Sequence, residues 1–147
     1  MKHMFVLILT LAFQMSYAQH HNDHSHHHAH TTIKDQNFKK FAPTQDLKVR
    51  MEKILSVMKE LKDKKDDSLA IKASGEKVSD VVKDIFKTCK LDPKADAAIH
   101  PALGKILQGS RDLQKGNYDS GHAKIHESLK EYGTLFSHDG WSLEFDL

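Results

Sequence analysis

A chain of 147 residues with 22 Lys and Arg against 20 Asp and Glu carries no basic field to hold the phosphates of a nucleic acid. Its single cysteine, Cys89, excludes an internal disulfide, a four-cysteine zinc site and a C-x-x-C-H haem attachment. What the composition offers instead is histidine: 12 residues, most of them in one short run.

Residues 1–18 read as a secretory signal peptide. Lys2 and His3 form a short positive end, residues 5–13 are mostly apolar, and Ser16-Tyr17-Ala18 is a small-x-small cleavage site. The apolar run falls short of the roughly 20 residues a membrane-spanning helix needs. The expected mature chain begins at Gln19, is exported to a bacterial periplasm and has no membrane span. No cysteine follows the cleavage site to carry a lipid anchor.

Residues 19–42 form a histidine-rich arm and linker. His20, His21, His24, His26, His27, His28 and His30 sit among polar residues with almost nothing apolar to bury, so the arm is expected to stay disordered until something binds it. Neutral imidazole suits Cu(II), Zn(II) and Ni(II), and such a run can offer several rings to one ion. A polar spacer or an expression tag is the plainer reading. Interruption by Asn22, Asp23, Ser25 and Ala29, directly behind the cleavage site, argues against a tag.

The clearest helix follows. Leu47, Met51, Ile54, Leu55, Met58 and Leu61 share one face of a 3.6-residue repeat from Gln45, with Thr44 as N-cap, and the charged run KDKKDD ends the helix between Lys62 and Asp67. A second helix is expected from Ser68 to Cys89, its stripe made by Ile71, Val78, Val81, Val82, Ile85, Phe86 and Cys89, with Gly75 weakening its middle. Asp92-Pro93 opens the third, which carries Ile99, Ala102, Leu103, Ile106, Leu107 and Leu113. Pro101 lies inside it and leaves the Ala97 carbonyl without its usual donor, so a kink or a fresh start is expected, with His100 at the break. Gly116-Asn117 separates the third helix from the fourth, whose inward residues are Tyr118, His122, Ile125, Leu129, Tyr132 and Phe136. Asp139-Gly140 ends that helix. The tail, residues 139–147, brings Trp141, Leu143 and Phe145 back over one end.

Four helices with short connections predict an all-α, antiparallel up-down-up-down four-helix bundle over residues 43–138. In that arrangement Met51, Cys89 and His100 fall at one end, a soft trio suited to Cu(I) if it binds metal and ordinary core filling if it does not. His122 and His126 have the i, i+4 spacing of helical metal ligands, without the glutamate of an H-E-x-x-H motif. No triad or carboxylate pair stands out, and no enzyme is expected.

The segment Asp46-Leu47-x-x-x-Met51-Glu52 resembles the opening of the cytochrome b562 family of periplasmic haem b bundles. That resemblance implies Met51 as one axial ligand and His138 as the other. Thr134 stands where that family has an arginine one turn before its histidine, and His138 follows Gly133 and precedes Asp139-Gly140. A wider set of features resembles a group of short exported proteobacterial proteins. These are the histidine arm, the entry from Phe41 to Met51, Cys89-Lys90-Leu91, Ala95-Asp96 with His100, and Phe136-x-x-Asp139-Gly140-Trp141. It implies the same fold and metal handling. The leading expectation is therefore buffering or delivery of copper or zinc by the arm, with a periplasmic metal transporter or redox partner. The alternatives are b-type haem electron transfer and a partner-binding bundle without metal.

Overall fold

The structure, a computed structural model, describes residues 39–143, which contain four helices and no strand beyond a single isolated bridge. Residues 1–38 and 144–147, with the signal peptide, the histidine arm and Phe145, lie outside the described residues.

Helix α1 spans Gln45–Lys62, and Thr44 caps it by accepting from the Leu47 amide at 3.2 Å. Leu47, Met51, Ile54, Met58 and Leu61 are at most 1% exposed, each burial stabilising the fold by about 1.5–3 kcal/mol. Helix α2 spans Ser68–Thr88. Asp67 caps it by accepting from the amides of Leu69 and Ala70, and Cys89 closes it. Helix α3 spans Pro93–Gln114, capped by Asp92 with Pro93 in the first turn, where a missing amide leaves nothing unpaired. After Gly116, whose φ of 84° suits a residue without a Cβ, helix α4 runs Tyr118–Leu135. Asn117 holds the N-cap position there without a side-chain bond.

The four helices pack as a bundle, each against its neighbour in sequence, with a looser approach between α1 and α4. The tight contacts have a common cause. A Cβ on Gly75 would lie 2.6 Å from the Ser110 carbonyl oxygen, so α2 and α3 touch backbone to backbone. Gly109 and Gly121 do the same for α3 and α4, each Cβ position 2.7 Å from the other's carbonyl oxygen. Gly75 is thus the contact point of a helix pair rather than only a soft spot. Lys105–Glu127 and the bonds from Ser120 and Lys124 to Asp112 add to the α3–α4 face.

Three expectations need correction. Helix α4 stops at Leu135, before Asp139-Gly140, because Phe136 turns extended and pairs with Phe41. Helix α3 runs through Pro101 without a fresh start. His100 Nδ1 lies 2.7 Å from the Asp96 carbonyl oxygen, not on that of Ala97. Phe86, read as core, is 45% exposed, lying at the rim of the α2–α3 contact with its ring against the exposed His100. The linker before α1 is drawn onto the bundle: Phe41 forms a parallel bridge with Phe136, through Phe41 N–H to Leu135 O and Ser137 N–H to Phe41 O, both at 2.9 Å. The tail folds back as expected, Trp141 lying over Gly133 with its ring edge-on to Tyr132 at 4.7 Å.

Candidate functional site

The seven histidines of the arm lie outside the described residues. The remaining candidates fall into three places.

The first is the end of the bundle where α1 begins and α4 finishes. Met51 is fully buried in the core there. His138 sits three residues past the last residue of α4, outside the helix, with its side chain 3% exposed. Its Nε2 is 3.0 Å from Glu52 Oε1 and its Nδ1 is 2.9 Å from the Tyr132 hydroxyl. An ionised carboxylate only accepts, so Nε2 carries the proton toward Glu52. In the neutral ring Nδ1 then accepts from the Tyr132 O–H. Burial, and then the charges of Glu52 and Cys89, push the Tyr132 phenol well above its ordinary range, so it remains a donor. Trp141 stacks on His138 at 5.2 Å and completes the enclosure. Tyr132 is the core aromatic that the spacing of the fourth helix predicts, and Glu52 lies off the buried face of α1. Nothing in helical periodicity points to a loop histidine that joins them.

The second place is a cavity of about 270 Å³ between the end of α2 and the start of α3, lined by Cys89, Asp96, His100, Leu91, Ile85 and Leu103 among others. Cys89 and His100 do meet here. Met51 is not among the lining residues. Cys89 Sγ is 3.6 Å from the Thr44 hydroxyl, which ties the thiol to the cap of α1. His100 is exposed, paired with Asp96 and set against the Phe86 ring at 5.3 Å. The expected soft trio is therefore a pair lining one cavity, with Met51 buried in the core and not part of that lining.

The third place is the first half of α4. Tyr118, His122 and His126, one turn apart, form a stack: Tyr118 lies 5.2 Å from His122, and His122 lies 6.3 Å from His126 with ring planes 8° apart. His122 is 8% exposed and its Nε2 has no hydrogen-bond partner. Burial above all, then the charges of His126 and Lys62, hold the His122 imidazole below its ordinary pKa, with Asp119 acting the other way. The ring is thus neutral at pH 7, the form that offers a lone pair.

Among the described residues, no three His, Cys, Asp or Glu side chains are grouped closely enough to hold a metal ion together. None of the four helices is long and apolar enough to cross a membrane. Compared with known protein families, curated proteins and solved structures, the chain has no match.

Proposed function

We propose that this protein binds copper or zinc in the periplasm, for buffering or delivery, with the segment His20–His30 as the capture element and the bundle as its carrier. The observation that carries this reading is the density of imidazole, seven rings between His20 and His30 directly behind a signal-peptide pattern. Nitrogen ligands of this kind take Cu(II) most tightly, and metal availability decides which ion is captured. On this reading the chain performs no catalysis, and its partner is a metal transporter or a redox protein that exchanges the ion.

The carrier is read as an antiparallel up-down-up-down bundle. Three end-to-end contacts support this: Thr44 with Cys89, Gly75 with Ser110, and Gly109 with Gly121. A fourth, Glu52 with His138, joins the beginning of α1 to the residues after α4.

The haem reading has one observation on its side, since Glu52 and His138 bring the neighbourhood of Met51 and His138 to the same end. Against it, both His138 nitrogens are already engaged, and an axial bond would have to break the contact to Glu52 or to Tyr132. The arm reading needs no such rearrangement.

The test compares the full chain, exported without an added tag, with a variant in which all seven arm histidines are asparagine. The expected result is copper or zinc in the native protein by elemental analysis, with most of it lost in the variant and no Soret band in either. A Soret band in the native protein would replace this reading with haem electron transfer. Equal metal content in the two proteins would sink the arm as the capture element.

A further inference from the structure

We propose that His122 and His126 form a two-histidine site on α4 for a divalent first-row transition ion, independent of the His20–His30 segment. Three observations converge on it. The residues are one helical turn apart, so their side chains share a face whatever the rest of the bundle does. Their rings are nearly parallel, 8° apart, with centroids separated by 6.3 Å. His122 Nε2, on a residue more than nine-tenths buried, has no hydrogen-bond partner. Buried polar atoms are nearly always satisfied, and a bound ion is one of the few partners that would account for this one.

A shared ion requires each nitrogen at about 2.0–2.1 Å. Tyr118 packs against one face of His122 and fixes that ring. His126 is only half-buried and is the ring free to swing its edge toward His122 Nε2. A preorganised first ligand and an adjustable second one close on an ion with little loss of order.

Burial already keeps His122 deprotonated at neutral pH, so an incoming ion displaces no proton from it. Tyr118 is not a third ligand, because burial and Asp119 raise its phenol above the ordinary value. The charged groups whose fields reach His122 are His126, Asp119 and Lys62. With one carboxylate against one ammonium, the site has no strong charge preference, and ligand type decides. Two imidazoles with water completing the shell favour Cu(II), then Zn(II) or Ni(II), over Mg(II) or Ca(II).

The experiment uses the full chain with the seven arm histidines replaced by asparagine, so that success or failure here is separate from that of the arm. Cu(II) and, as a redox-inert probe, Zn(II) are titrated by calorimetry at pH 7.5. Cu(II) broadening of side-chain NMR signals locates the ion. The expected result is one equivalent bound, with broadening centred on Tyr118, His122, Ile125 and His126. The variant His126→Gln should weaken binding by at least about 10–100-fold, the loss known even for groups that only support a metal ligand. Its urea unfolding should stay unchanged without metal, because the residue is half-buried. Binding that survives both His126→Gln and His122→Gln, or broadening centred on Cys89 and His100, would overturn the proposal. So would absence of saturable binding.

Discussion

The two sides of this bundle are packed by opposite means. Between α2, α3 and α4 the backbones meet at Gly75, Gly109 and Gly121, where hydrogen stands in place of a side chain. Between α1 and α4 the approach is looser, and side chains meet instead, Glu52 and Tyr132 joining through His138. Both buried histidines belong to the looser side. His138 meets Glu52 near the beginning of α1, and His122 feels the charge of Lys62 at its end. A backbone contact has no room for an imidazole, whereas a contact made by side chains can exchange one for another.

That contrast can be broken first at its tight side. Gly109→Ala or Gly75→Ala pushes a methyl to within 2.6–2.7 Å of a backbone oxygen that cannot retreat. Either should cost about 3 kcal/mol in urea unfolding, at the upper end of overpacking effects. On the looser side, His138→Ala leaves the Tyr132 hydroxyl buried without its partner and should cost about 2 kcal/mol. The double variant with Tyr132→Phe should recover part of that loss, since an apolar ring asks for no hydrogen bond. Met51→Leu, a volume-conserving change in the same region, should stay under about 1.5 kcal/mol. A larger loss for Met51→Leu than for Gly109→Ala would invert the comparison.

The smallest effects separate the two sides by pH. Lys124 first, then Ser120, holds the Asp112 carboxyl below its ordinary value of 3.8 on the α3–α4 face. A depressed carboxylate contributes stability that is complete above its unfolded pKa and is lost as pH falls through the folded one. Asp112→Asn should therefore lower stability at pH 7 and make no difference in strong acid. His122 is depressed from 6.5 by burial. Its unfolded form takes a proton first, so stability declines as pH drops below about 6.5 and levels off below the folded pKa. His122→Gln should flatten that decline, read as the midpoint of urea unfolding against pH.

Much of the fold was legible because it is written in local chemistry. Thr44 and Asp92 stand at the helix starts, Gly116 takes the left-handed turn, and the face Leu47 to Leu61 is buried as its spacing requires. What stayed hidden depends on contacts between distant residues. Pro101 lies within a helix that tertiary packing sustains, although a missing amide argues for a break. Glu52 looks like any solvent-face carboxylate until His138 arrives from 86 residues away. His122 and His126 were visible as a spacing, but the unpartnered nitrogen that gives the spacing chemical meaning is a property of burial.

The bridge between Phe41 and Phe136 has a mechanical consequence. A pull entering the chain at Lys39 meets a set of anchors before it reaches the first turn of α1. These are two backbone hydrogen bonds at 2.9 Å, the Phe41–Phe136 ring contact and the bond from Lys40 Nζ to the Gly133 carbonyl. Those anchors all sit on the last turn of α4 and the residues after it. Tension on whatever precedes Lys39 is therefore shed into the far end of the chain, and α1 is shielded from being peeled off its neighbours. A pull on the chain ahead of Lys39 would loosen the enclosure around His138 before it unravelled any helix.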